Sequence, residues 1–235
     1  SDMAAFLAAY ISRGGMNMIY ICRRGKSFSA ESDEVFPEYI MRVGLGEGAY
    51  SRLRMGMLVR KWGAGTFIGA GTGLVRRALR RGDASGFLRE FAAQCAECIL
   101  RKDGIPVEGA RIGIFARRDS RELSAAADRL AGAGADIVPV LPENSFTLRL
   151  LRQRYGMAAS GRLCGAQMKK CDLVICFSDA GGVWRELRVF DGEVNVTAAV
   201  ERGGRECLMP GAAAMELVRM GAANRGNVRV ESVDI

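Results

Sequence analysis

The segment Arg111–Leu141, RIGIFARRDSRELSAAADRLAGAGADIVPVL, decides the fold. Two short apolar runs, RIGIFA and DIVPVL, flank SRELSAAADRLAGAG, whose apolar residues recur at helical spacing. Strand, amphipathic helix and strand in that order make a βαβ unit. Downstream, SFTLRLLRQRYG and SGRLCGAQMKK form a second crossover leading to DLVICF, a third and fully apolar strand. Strands that are apolar on both faces, with helices between them, specify a parallel sheet covered on both sides. The expected fold class is therefore α/β, a three-layer Rossmann-like sheet that is mainly parallel. ELRVFDGEVNVTAAV should give it a mixed edge, as a hairpin turning at Asp191-Gly192. PGAAAMELVRMGA reads as a helix with Pro210 near its start, and VRVESVDI as a last strand.

Toward the N-terminus, LVRRALRRG reads as one helix, followed by a longer helix running to Lys102 with Asp83 or Ser85 as its cap. Residues 1–62 form an N-terminal appendage to the α/β domain of residues 63–235. The appendage is expected to hold a helix at MAAFLAAYISRGG, a strand at MNMIYICRR, a polar loop at GKSFSAESDE and a mixed segment from Phe36 to Trp62.

At 235 residues and 49% hydrophobic content the chain can bury a full core without disulfides. Its seven cysteines are an odd number in mostly apolar contexts, which points to reduced thiols and a cytoplasmic location. Cys95-Ala96-Glu97-Cys98 lies inside a helical run with no second pair at zinc spacing, so core packing is its expected role. No histidine is present, which excludes Ser-His-Asp and Cys-His catalysis. No apolar run is long enough for a membrane span, and MAAFLAAYISRGG lacks the basic leader of a signal peptide. The net charge of +8 favours anionic partners. The arginines are spread along the chain and aromatics make up only 7%, so a small anionic molecule, a sugar phosphate among them, fits better than nucleic acid.

Ligands of open parallel sheets gather at the carboxyl ends of the strands. The loops there read ARRDSRE, LPENS and SDAGG. They offer Arg117, Arg118, Asp119, Ser120 and Arg121; then Glu143, Asn144 and Ser145; then Ser178, Asp179, Gly181 and Gly182. Helix capping competes for some of them, with Asp119 or Ser120 at one helix start and Asn144 or Ser145 at the other. A further candidate is KWGAGTFIGAGTGLVRR, residues 61–77. Its glycines allow backbone N–H groups to converge on an anion, and its closing arginines could complete the coordination. Neither GxGxxG after the first core strand nor GxxxxGK is present, so the common nucleotide motifs are missing.

Taken in order, these loops resemble the first domain of the α-D-phosphohexomutases, the phosphoglucomutase and phosphomannomutase family. Gly71-Thr72-Gly73-Leu74-Val75-Arg76-Arg77 is similar to that domain's F-G-T-D-G-x-R-G loop, and Arg118, Asp119 and Arg121 follow the order of its G-R-D-x-R. Val140-Leu141-Pro142-Glu143-Asn144 loosely resembles its proline-containing loop, and Ser178 stands where its phosphoserine loop ends the third strand. The resemblance runs from Gly71 to Gly192. It implies an anion held by Gly71, Thr72, Arg76, Arg118, Ser120, Arg121, Asn144, Gly181 and Gly182.

The family's D-G-D-x-D-R magnesium loop and the histidine beside the serine are absent from this sequence. The implied function is therefore binding of a phosphorylated sugar or similar anion without full mutase turnover, and without a cofactor. Two other readings stay open. One is a metal-dependent phosphoryl-transfer enzyme, with Ser178 or Asp179 as nucleophile or acid-base group, Asp119 as partner and magnesium held by the two aspartates. The other is a non-catalytic scaffold or regulatory protein whose loop residues only cap helices.

Overall fold

The structure, a computed structural model, describes residues 18–22, 29–32, 34–36, 39–44, 66–69, 80–81, 84–157, 165–180, 185–191 and 194–235. The chain divides into two units, Ser1–Gly82 with Val200–Cys207 and Ala213–Val228, and Asp83–Ala199 with Leu208–Ala212 and Arg229–Ile235. Among the described residues no helix is long and apolar enough to cross a membrane.

The N-terminal part of the first unit contains β1 (Met18–Cys22), β2 (Ser29–Ser32), β3 (Ile40–Gly44), β4 (Thr66–Gly69) and β5 (Arg80–Arg81). They form a sheet of order β2-β3-β1-β4-β5, parallel throughout except for the antiparallel edge strand β2. Two expectations are corrected here. Ser29–Ser32, read as part of a polar loop, pairs with β3; an edge strand needs backbone pairing on one side only and tolerates polar side chains. Arg80–Arg81, read as the end of a helix, pairs with Thr66–Phe67, so a tertiary ladder prevails over local helix propensity. Within the glycine-rich stretch, Thr66–Gly69 is strand, as suits Thr, Phe and Ile. Gly71, Thr72 and Arg76 lie outside the described residues, as do the expected helix at MAAFLAAYISRGG and the body of LVRRALRRG.

The second unit carries the βαβ pattern. Two helices, α1 (Ser85–Glu90) and α2 (Ala92–Lys102), stand where one was expected, because the chain departs from helical geometry at Phe91 (φ −108°, ψ 22°). The Phe87 and Phe91 rings stack across the break with centroids 4.5 Å apart. Ala84 is the N-cap, with no side-chain cap bond, in place of the expected Asp83 or Ser85. There follow β6 (Arg111–Phe115), α3 (Arg121–Gly132), β7 (Asp136–Val140), α4 (Phe146–Tyr155), α5 (Gly165–Met168), β8 (Leu173–Cys176) and β9 (Glu186–Arg188). Their sheet has the order β7-β6-β8-β9 and every pairing is parallel.

Strand alternation places Phe115, Val140, Val174 and Cys176 on one face, packed with Met168, while Ile112, Ile114, Leu173 and Ile175 are buried on the other. Both faces are dry, as the unbroken apolar strands require. Cys95 and Cys98 are buried in α2, and the Cys98 thiol donates to the Glu231 carbonyl at 3.4 Å. Burial, with Cys98 alongside, pushes the Cys95 thiol pKa well up. The pair therefore packs the core, in line with the reading of the CxxC.

The hairpin expected around Asp191-Gly192 would pair its two flanking strands, but among the described residues they do not pair; Gly192 itself lies outside those residues. Glu186–Arg188 pairs in parallel with Val174–Cys176, and the next strand, β10 (Asn195–Arg202), enters a separate sheet of order β11-β10-β12 with β11 (Arg205–Pro210) and β12 (Val228–Asp234). Leu187 and Val189 are fully buried, so closing the apolar flank of β8 outweighs the local turn preference. The tight hairpin lies at Gly203-Gly204, whose φ values of 59° and 74° suit a two-residue type I′ turn. The helix α6 (Gly211–Arg219) follows Pro210 as expected.

At Gly211 an added Cβ would fall 2.8 Å from the ring of fully buried Phe87. Gly211→Ala is therefore expected to lower unfolding free energy by about 1–2 kcal/mol, since a packed ring cannot move aside freely. Urea denaturation checks this, and a variant as stable as wild type would show that the ring yields.

Candidate functional site

The carboxyl ends of β6 and β8 lie side by side, so the loops that follow them meet. Phe177 N donates to the Phe115 carbonyl at 2.8 Å, and Arg117 N donates to Ser178 Oγ at 3.2 Å. Ala116 N donates to the Val140 carbonyl at 3.2 Å, which ties the same loop to β7. The three loops read from the sequence as one site are thus linked through backbone and hydroxyl bonds.

Helix starts claim part of this polar density. Ser120 is the N-cap of α3, its Oγ accepting from Leu123 N at 3.1 Å, and Ser145 is the N-cap of α4, its Oγ accepting from Leu148 N at 3.2 Å. The open choice of caps is therefore settled for the serines over Asp119 and Asn144. Asp119 instead reaches across to α4. Its Oδ1 accepts from Ser145 Oγ and Thr147 Oγ1, both at 2.8 Å, and its Oδ2 from Phe146 N at 2.6 Å. Both hydroxyl partners are buried, and Thr147 Oγ1 also lies 2.7 Å from Ser124 Oγ on α3. One carboxylate thus binds the start of α4 to the loop that starts α3. Burial pulls the Asp119 pKa up, but the bonds from Ser145, Thr147 and the amides of Phe146 and Thr147 outweigh it and hold the pKa below its ordinary value.

Beside this network opens a cleft of about 410 Å³, lined by Arg89, Arg117, Arg118, Ser120, Glu122 and Ser178, with Asp119 and Phe177 completing its wall. Arg89 comes from α1; the others come from the β6–α3 and β8 loops and the first turn of α3. The three arginines are exposed, and among the described residues the guanidinium groups of Arg117 and Arg118 have no ion-pair or hydrogen-bond partner. The Glu122 pKa lies below its ordinary value, lowered chiefly by its own backbone amide and the Ser120 side chain and further by the Arg121 and Arg89 charges, against the opposing effect of burial.

Of the residues expected at the site, Arg118, Asp119, Ser120 and Ser178 are brought together in this cleft. Arg121 opens α3 and is exposed; it does not line the cleft, though its charge acts on Glu122. Asn144 is exposed on the loop before α4 and also stands outside the lining. Asp179 is exposed next to Ser178, and its charge acts on Arg188. Gly181 and Gly182, like Gly71, Thr72 and Arg76, fall outside the described residues. Arg89 was not foreseen, because nothing local in SGFLRE distinguishes an arginine beside a cleft from one on a solvated helix face. Among the described residues, no group of three or more His, Cys, Asp or Glu side chains is placed to hold a metal ion.

No protein-family model matches the chain, and no curated protein matches it. Among solved structures it is similar to NAD+-bound 3-phosphoglycerate dehydrogenase from Entamoeba histolytica, with 8% identity and a TM-score of 0.31 over 70% of this chain and 63% of that one. It is also similar to hetero-hexameric glutamate dehydrogenase from Thermus thermophilus, with 11% identity and a TM-score of 0.28 over 73% of this chain and 56% of that one. The matched part thus spans 63% and 56% of those two structures.

Proposed function

We propose that the cleft between the β6 and β8 loops binds a small phosphorylated molecule, a sugar phosphate in the sense that the phosphohexomutase resemblance implies, without turning it over. The observation that carries this reading is the pair of guanidinium groups, Arg117 and Arg118, which border the cleft and are held by no ion pair or side-chain hydrogen bond among the described residues. A planar guanidinium matches phosphate oxygens in bidentate fashion and is weakly hydrated, so an anion between two of them replaces water at little cost. Arg89 adds a third positive charge, and Ser178, whose Oγ already accepts from Arg117 N, keeps its hydroxyl proton for a ligand oxygen.

Binding without turnover is supported by the state of Asp119. Its oxygens are engaged by hydrogen bonds to α4 and its pKa is lowered, whereas a general base works best with a pKa near the operating pH. Asp119 in this reading positions the loop that carries Arg117 and Arg118.

The test is thermal unfolding of the whole chain against glucose 6-phosphate and inorganic phosphate, with and without magnesium. Stabilisation that grows with ligand as RT ln(1 + [L]/Kd), about 2.7 kcal/mol at a hundred times Kd, is the expected result. No shift at millimolar ligand would remove the proposal, and a shift that requires magnesium would favour metal-dependent phosphoryl transfer in its place.

A further inference from the structure

The outer side of α4 carries a groove of about 370 Å³ lined by Phe146, Arg149, Leu150, Gln153 and Arg154, none of which lines the anion cleft. These positions recur at three- and four-residue spacing and share one side of the helix, while Thr147, Leu148 and Leu151 are buried on the other. We propose that this groove docks an acidic amphipathic helix of a partner protein, which seats an apolar side chain against Phe146 and Leu150 and sets carboxylates on the arginines. The outward side of a packed helix is ordinarily polar. Here Phe146 is 55% exposed and Leu150, one turn on, is half-buried, so apolar surface remains on a helix whose core side is already filled. The backbone that carries Phe146 is held in place, because its N–H donates to Asp119 Oδ2 and Ser145 caps the helix start. A partner therefore meets a preorganised surface.

Charge selects the occupant. The charged side chains of α4 are Arg149, Arg152 and Arg154, with no carboxylate among them. Asp128 of α3 holds Arg154 at 2.8 and 2.9 Å, whereas the Arg149 guanidinium has no ion-pair or hydrogen-bond partner among the described residues. A second copy of this chain seated on the same face would set arginine against arginine, which like-charge repulsion opposes. A nucleic-acid backbone answers the arginines but leaves Phe146 and Leu150 without apolar cover, and a membrane surface takes up protruding apolar groups in place of filling a groove. Aromatic side chains and arginine are the residues that protein interfaces favour. Away from its ends α4 spends its backbone groups on its own helical bonds, so it offers no ladder to an extended strand. The occupant must satisfy its backbone by itself, as a helix with one apolar and one acidic side does.

The experiment is an NMR titration of the isotope-labelled whole chain with a synthetic peptide of about 16 residues, long enough to form a helix, that carries leucine along one side and glutamate elsewhere. The expected result is perturbation of the α4 amides at submillimolar peptide. Affinity should fall about tenfold in Arg149→Glu and about thirtyfold or more in Phe146→Ala, and the amide spectra show that both variants stay folded. The same peptide with lysine in place of glutamate should leave the wild-type α4 amides unmoved. Silence at millimolar peptide, equal binding of the lysine peptide, or an affinity unchanged in Phe146→Ala would overturn the proposal. Phosphatidylserine vesicles or single-stranded DNA that perturb α4 where the acidic peptide does not would also overturn it, and would assign the face to a membrane or to nucleic acid. Loss of glucose 6-phosphate binding bears only on the anion cleft, since the two sites share no lining residue.

Discussion

Replacing Asp119 by alanine lowers the unfolding free energy at neutral pH by about 3 kcal/mol, an effect out of proportion to an exposed loop residue. The truncation leaves the Ser145 and Thr147 hydroxyls, both buried, without their carboxylate acceptor, and it frees Phe146 N at the start of α4. Removing one partner from buried polar groups forfeits their desolvation as well as the bond. Asp119→Asn keeps one carbonyl acceptor and should lose about half as much. The sign of the pH dependence follows from the lowered pKa. The Asp119 contribution is fully present above the ordinary unfolded carboxylate pKa, and it disappears as pH falls through the depressed folded value. Urea titrations of wild type and Asp119→Ala should therefore differ most at neutral pH and converge in acid. A variant within about 0.5 kcal/mol of wild type at neutral pH would show that water replaces the carboxylate without loss.

The second large effect is on binding. Arg117→Ala and Arg118→Ala are each expected to weaken glucose 6-phosphate binding by about tenfold, and the double substitution by about a hundredfold. Both side chains are exposed and without partners among the described residues, so their removal should leave stability within about 0.5 kcal/mol of wild type. Arg118→Lys keeps the charge but not the planar fork, and should recover only part of the affinity. Asn144→Ala serves as the control, because Asn144 stands outside the cleft lining. An unchanged Kd in the double variant would show that the arginines are ordinary surface charges.

These effects rest on features that differ in how far local sequence encodes them. Ser120 and Ser145 were legible as cap candidates because a capping hydroxyl acts within three residues of its own chain. The bond from Asp119 to α4 was not legible. It spans loops separated by a whole helix and strand, and the residue types in LPENS do not say which of them turns inward.

The same division runs through the fold. The sequence by itself determined the βαβ core, because RIGIF, DIVPV and LVIC are continuous apolar runs and SRELSAAADRLAGAG has helical periodicity, both set by neighbours along the chain. It also determined the helix after Pro210, the last strand and the burial of the CxxC. Only the tertiary structure decided which strands pair. Glu186–Arg188 closes the flank of β8 in place of forming a hairpin, Arg80–Arg81 joins a ladder, and polar Ser29–Ser32 becomes an edge. Strand pairing is a contact at long sequence separation, and a turn signal such as Asp191-Gly192 is only a local preference that a distant apolar edge can outweigh. The cleft follows the same rule. Arg117 and Arg118 were visible at a strand end, whereas the approach of Arg89 from α1 exists only once α1, α3 and the β8 loop are brought together.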